Sequence, residues 1–350
     1  MRIKHRNLFC TALVALSVAG CKVPAIVQRE PNRIVPAAYA TGGTDSSSTA
    51  SLSWKQFFTD PYLQQLIDTA LLRNQELLTT LQEIQIAKND VLFRQGALRP
   101  SVGARLGLGV EKVGRYTSQG AGDASTEIDE GKEVPDPLTD ITGAVYATWE
   151  IDIWHKLRTA KQAAITRYLA TVEGRNFVRT NLVAEIADNY YELLALDNQL
   201  SIVQQNIGLQ QNALGIVKVQ KEAARVTELA VQKFNAEVLS SQSLEWGIRQ
   251  RITETENRIN FLLGRFPQPV PRATGEFFSL QPASVQPGLP AHLLTGRPDI
   301  RQAELQLAAA KLDVQVARKE FLPSLGISSA IGLQAFKPSY LLKAPESILY

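Results

Sequence analysis

The chain has 350 residues, 45% of them hydrophobic and 20% charged, so it is neither a disordered polymer nor a helical membrane protein. No apolar run reaches the roughly 18–20 residues that cross a bilayer as a helix, so any crossing must be made by strands of a closed barrel. The formal charge of +3 includes Arg2, Lys4 and Arg6 of an expected leader, and without them it is about zero, which gives no argument for nucleic-acid binding.

The leader is expected over residues 1–20. Its basic start is followed by an apolar core, Leu8 to Val18, too short for a transmembrane helix and suited to a secretory signal. It ends Val18-Ala19-Gly20-Cys21, small residues running into a cysteine, which looks like a lipobox. Cys21 is then the attachment point of a covalent diacylglycerol and an N-acyl chain such as palmitate. Cys10 lies in the leader, so cleavage leaves one cysteine and no intramolecular disulfide. Residues 21–53, rich in Pro, Ala and Ser, read as a lipidated tether.

Residues 54–100 carry a helical pattern. Asp60-Pro61 supplies a cap and a first-turn proline, and Leu63, Leu66, Ile67, Leu71, Leu77, Leu78, Leu81 and Ile84 recur at helical spacing. The period then becomes two. Val102, Ala104, Leu106, Leu108 and Val110 alternate with Ser101, Gly103, Arg105, Gly107, Gly109 and Glu111. Ile141, Val145, Ala147, Trp149, Ile151 and Ile153 alternate with Thr142, Tyr146, Thr148, Glu150 and Asp152. Residues 101–154 thus read as a β-hairpin, either transmembrane or half-buried in a soluble sheet, since both use this alternation. Between the strands, residues 114–140 hold Asp123, Glu127, Asp129, Glu130, Glu133, Asp136 and Asp140 and read as a solvated acidic loop, because the spacing fits no EF-hand.

Residues 155–264 read as a long antiparallel helical hairpin. Ile186, Tyr190, Leu193, Leu196, Leu200, Val203, Ile207, Leu214 and Val217 step by threes and fours, as do Phe234, Val238, Ile248, Ile252, Ile259 and Leu262. Ser241, Glu245 and Thr255 interrupt the seam, which predicts further packing against other hairpins. The turn falls near Ala224-Arg225-Val226-Thr227, and Gly264 with the following prolines ends the second helix. A Pro-rich connector covers 265–296, a second-repeat helix 297–322, and a third strand 323–350 with Leu325, Ile327, Ile331 and Leu333 on one face. An internal repeat is visible. Glu83-Ile84-Gln85-Ile86-Ala87 precedes Pro100-Ser101-Val102-Gly103, and Glu304-Leu305-Gln306-Leu307-Ala308 precedes Pro323-Ser324-Leu325-Gly326.

Several segments resemble the outer membrane factor family, the exit channels of RND-type tripartite efflux pumps. Trp54-Lys55-Gln56-Phe57-Phe58-Thr59-Asp60-Pro61-Tyr62-Leu63 looks like its opening motif, and Trp149-Glu150-Ile151-Asp152-Ile153-Trp154 resembles its strand-to-helix junction. Leu262-Leu263-Gly264-Arg265 resembles the end of its first hairpin, and Gly296-Arg297-Pro298-Asp299-Ile300-Arg301-Gln302-Ala303-Glu304 is similar to the start of its second repeat. The resemblance implies an α+β fold in which long coiled-coil hairpins join transmembrane strands of a trimeric β-barrel, four strands from each subunit. It implies a homotrimer in outer-membrane lipid, working with a periplasmic adaptor and an inner-membrane RND-type pump, and exporting small molecules passively. The lipobox favours the solute-efflux branch over the protein-secretion branch.

The chain departs from the family pattern in showing three strands and one complete hairpin, an incomplete second repeat. It is expected to be a truncated form, defective alone, with the family's acidic inner gate outside it. The hairpin turn at Arg225, Val226 and Thr227 is either an adaptor contact or an ordinary turn. Competing readings are a periplasmic coiled-coil adaptor or structural lipoprotein, and a surface-exposed binding lipoprotein. No catalysis is expected. Outside the leader the histidines are His155 and His292, neither in a ligand-spaced cluster, and no Gly-rich phosphate loop is present, so no enzyme cofactor or metal is implied.

Overall fold

The computed structural model describes residues 34–39, 49, 52–273, 277, 285–286, 288–343 and 347–350. The expected leader, the lipobox with Cys21 and most of the tether lie outside these residues. The chain divides into two compact units. One comprises residues 30–87 and 168–306, and the other includes 88–167 and 307–350. No helix among the described residues is long and apolar enough to cross a membrane.

In chain order the helices are α1 (Trp54–Phe57), α2 (Pro61–Arg73), α3 (Gln75–Gly96), α4 (Ser118–Asp123), α5 (Lys156–Glu222), α6 (Glu228–Leu262), α7 (Ala291–Gly296), α8 (Pro298–Glu320) and α9 (Pro338–Leu341). The strands are β1 (Ser101–Glu111), β2 (Glu127–Asp129), β3 (Lys132–Glu133), β4 (Leu138–Ile151), β5 (Leu325–Ala335) and β6 (Ile348–Leu349). The period-two segments are thus strands and the heptad segments helices.

The helical unit is organised by its apolar seam. α5 holds 67 residues, about 100 Å of helical rise. Near the turn, Leu214 packs with Val231 and Val238. Farther along, Leu196, Val203 and Ile207 meet Ile248. At the base, Ile186, Tyr190 and Leu193 meet Ile259, Leu262 and Leu263, together with Leu63, Leu66 and Ile67 of α2. The partners pair in reverse order, which defines an antiparallel hairpin. Glu245, one of the residues that interrupts the seam, accepts a hydrogen bond from Gln204 Nε2 at 2.9 Å and pairs with Arg249 at 2.8 Å. Those contacts hold its carboxyl below the ordinary value.

Polar anchors fix the base of the hairpin. Asp60 caps α2 through Oδ1, which accepts from Tyr62 N–H at 2.8 Å, while Oδ2 accepts from Tyr190 Oη at 2.6 Å. Burial pushes the Tyr190 phenol up, and the Asp60 charge adds to the shift. Arg272 bridges Asp197, at 3.0 Å from Nη2, and Glu256, at 2.5 Å from Nη1.

The helical stretch expected over 54–100 is interrupted at Phe58–Asp60 and again at Asn74. Asn74 adopts extended backbone with ψ 125°, and its side chain is committed twice. Oδ1 accepts from Leu77 N–H, and Nδ2 donates to the Leu262 carbonyl, both at 2.9 Å. The loop at 114–140, expected to be a solvated acidic loop, contains α4 and the β2–β3 ribbon, and the connector at 265–296 contains α7.

Candidate functional site

The sheet has the order β1-β4-β5-β6, all antiparallel, with β6 pairing to β5 at Gly332 and Leu333. Its register sorts side chains into two faces. Cross-strand rows on one face are Leu108–Ile141–Ala335, Leu106–Gly143–Leu333, Ala104–Val145–Ile331 and Val102–Ala147–Ser329, with Trp149–Ile327 and Ile151–Leu325 beyond them. Rows on the other face are Gly107–Thr142–Gln334, Arg105–Ala144–Gly332, Gly103–Tyr146–Ala330 and Ser101–Thr148–Ser328.

Among the described residues, much of the apolar face is uncovered. Leu106 is 91% exposed, Leu108 86%, Val110 72%, Val102 71% and Ile331 67%. A half-buried soluble sheet covers its apolar side with another layer, and among the described residues no side chain of this face is buried. At about 1.5–3 kcal/mol for each large aliphatic side chain moved out of water, such a face cannot rest in aqueous solvent without great cost. The apolar run from Ile141 to Ile151 is ten residue steps. At about 3.4 Å per step and a tilt near 40°, it spans about 26 Å along the barrel axis, the height of an outer-membrane apolar band.

One end of the sheet is pinned by the junction motif. Trp149 Nε1 donates to the Leu98 carbonyl at 3.2 Å, and Trp154 Nε1 donates to the Pro323 carbonyl at 2.9 Å. Each indole thus ties β4 or its exit to the turn preceding β1 or β5. Both rings remain partly exposed, as in the aromatic girdles of barrel proteins. Asp152 then starts α5, its two oxygens accepting from Leu157 and Arg158 N–H at 2.9 and 3.0 Å.

The hairpin turn is tightly built. Arg225 N–H donates to the Gln220 carbonyl at 2.9 Å and Ala224 N–H to Lys221 at 2.8 Å, the paired bonds of a Schellman end. This places Ala224, not a glycine, at φ 58°. Lys221 and Glu228 form an ion pair across the turn, and the Lys221 and Gln232 hydrogen bonds hold the Glu228 carboxyl below its ordinary value. Arg225 and Thr227 are exposed and Val226 half-buried, while Val219 and Leu229 add exposed apolar surface beside them.

A family profile described as outer membrane efflux protein matches residues 66–265, more than half of the chain. The chain belongs to the outer membrane efflux protein family. This family is a transport component of the outer membrane rather than an enzyme. Among its curated members, the pyoverdine export outer membrane protein OpmQ of Pseudomonas putida is 28% identical over 96% of this chain and 70% of its own. The cation efflux system protein CusC of Escherichia coli K12 is 25% identical over 97% of this chain and 71% of its own. The chain spans 63% of OpmQ from Pseudomonas aeruginosa and 66% of the toluene efflux pump outer membrane protein TtgF of Pseudomonas putida, about two thirds of these relatives' length. In fold, the efflux protein resembles crystal structures of CusC, with a TM-score of 0.74 at 23% identity, covering 94% of this chain and 71% of that one. It likewise resembles the open-state MtrE outer membrane channel of Neisseria gonorrhoeae, with a TM-score of 0.76 at 22% identity, covering 93% and 70%.

The expected tip residues Arg225, Val226 and Thr227 come together at the turn of this family member, whereas Cys21 lies outside the described residues. Two features were not singled out from sequence. The Lys221–Glu228 clasp could have been found from opposite charges flanking the turn. The isolation of Arg105 on the polar face required the strand register.

Proposed function

We propose that this chain is a subunit of an outer-membrane channel that passively exports small molecules from a tripartite efflux system. The observation that carries the reading is the uncovered apolar face of the sheet, backed by a face of small and polar residues. Closed into a barrel with its copies as a homotrimer, the first face meets lipid and the second lines water. Closure also satisfies the open edge of β1 and most of the edge of β5, which cannot stay unpaired in hydrocarbon. Lipid on Cys21 gives each subunit a second hold on the membrane. The hairpin extends the conduit through the periplasm. Its tip at Arg225, Val226 and Thr227 offers a cation, apolar surface and a hydroxyl to a periplasmic adaptor, and an inner-membrane RND-type pump supplies the energy. The first choice of exported compound is made by the pump. The rival reading as a periplasmic adaptor or structural lipoprotein leaves the apolar face without a role.

The test is conductance across a planar bilayer by the full-length protein, beside this chain, purified from outer membranes. Stable single-channel steps support the reading. Absence of steps, together with failure to retain any periplasmic adaptor in a crosslinking pull-down, refutes it.

A further inference from the structure

The water-lining face assigned to β1, β4 and β5 carries one cation well removed from its carboxylates. Arg105 sits at the middle of β1, opposite Ala144, which in turn faces Gly332. The residues before and after it on the same face are Gly103 and Gly107. At Gly332 the small residue is fixed by sterics. A Cβ on Gly332 would lie 2.4 Å from the Gly143 carbonyl oxygen, and one on Gly103 would lie 2.5 Å from the Tyr146 ring. The backbone at Gly332 leaves no room for an acid, and one at Gly103 would have to displace the Tyr146 ring. Among the described residues, Arg105 has no hydrogen-bond or ion-pair partner. The acids on this face stand toward its ends. Asp140 lies opposite Gly109 and accepts from Gln334 Nε2 at 2.9 Å. Glu111 ends β1, and Glu150 is paired with Lys156 at 2.5 Å. Asp140, nearest along the strands, is four residue steps from Arg105, a backbone separation of about 14 Å.

We infer that Arg105 forms a cationic ring inside the barrel, one guanidinium per subunit, and makes the channel select for anionic solutes. The inference rests on the trimeric channel proposed above. A free guanidinium at a wall of small residues presents its planar donors to passing carboxylates, phosphates or sulfonates. Three such charges, each about one Debye length from a passing ion, enrich a monovalent anion roughly 2.6-fold at 0.15 M salt and deplete a cation equally. The anion-to-cation ratio in the ring then changes about sevenfold.

The experiment is the reversal potential of the purified channel in a KCl gradient across a planar bilayer, for wild type, Arg105→Lys, Arg105→Gln and Arg105→Glu. The inference expects conductance steps in each. It expects the chloride-to-potassium permeability ratio kept in Arg105→Lys, at least twofold lower in Arg105→Gln, and lower again in Arg105→Glu. The differences should fade at 1 M salt, where screening shortens to ~3 Å. Channels that conduct with the same ratio in wild type, Arg105→Gln and Arg105→Glu overturn the inference and leave the channel reading standing. No conductance from wild type, together with failure to retain an adaptor, sinks the channel reading, and this inference with it.

Discussion

Replacing Leu106 with arginine puts the strongest demand on the lipid-facing sheet. Leu106 is at the centre of β1, in the row Leu106–Gly143–Leu333, and is 91% exposed in the single chain. If that exposure is to hydrocarbon, arginine near the midplane costs about 2–4 kcal/mol per copy, or about 6–12 kcal/mol for three copies in a trimer. If the exposure is to water, the same change is a surface substitution and stays within about 0.5 kcal/mol. The control is one residue away. Gly107 lies on the opposite face, where an added Cβ meets only the Thr142 Cβ at 3.8 Å, so Gly107→Arg is expected to assemble normally. The assay is the fraction of protein recovered from outer membranes as heat-modifiable trimer, with the denaturant midpoint in liposomes as a second readout. Leu106→Arg is expected to lose most of the trimer and Gly107→Arg to retain it. Normal assembly of Leu106→Arg, or a worse defect in Gly107→Arg, would refute the assignment of faces.

Gly264 closes α6 at φ 63°, and a Cβ there would stand 2.5 Å from the Arg73 carbonyl oxygen, so Gly264→Ala should cost at least about 2 kcal/mol in urea denaturation. Tyr190→Phe removes the part-buried bond to Asp60 while leaving the packing, and a loss of about 1 kcal/mol is expected in the same assay. Glu228 and Glu245 have depressed values in the folded hairpin, so their contribution is complete above the ordinary carboxyl value of 4.5 and is lost as pH falls through the lower folded values. Thermal melts followed by circular dichroism between pH 7 and pH 3 should show a smaller acid-induced loss in the Glu228→Gln/Glu245→Gln double variant than in wild type; equal losses would remove these carboxyls from the account.

Much of this architecture is written in local periodicity. Val102 to Val110 alternate strictly, and the structure turns that alternation into two chemically opposed faces. The heptad positions Val203, Ile207 and Ile248 meet in the hairpin seam. What escaped the sequence depends on distant partners. Asn74 looks like one more polar position in a helix, but its break answers a carbonyl at Leu262, 188 residues away. Gly264 reads as a helix stop, yet its close approach to Arg73 is a tertiary fact. Ala224 takes a left-handed conformation usually given to glycine, so the turn could be placed only to within a few residues. The two-residue strand β6 is too short for any periodic signal. Arg105 looked like an ordinary polar position in an alternating strand. Its isolation emerged when the register set Ala144 and Gly332 in its row.

The most direct test of the central claim is a cysteine scan of β1 from position 101 to 110 in native outer membranes. Each variant is labelled with an environment-sensitive fluorophore and compared for quenching by bilayer-embedded spin labels and by an aqueous quencher. The account predicts a period of two, with positions 102, 104, 106, 108 and 110 quenched from lipid and positions 101, 103, 105, 107 and 109 quenched from water. Aqueous quenching at every position, with no alternation, would contradict it.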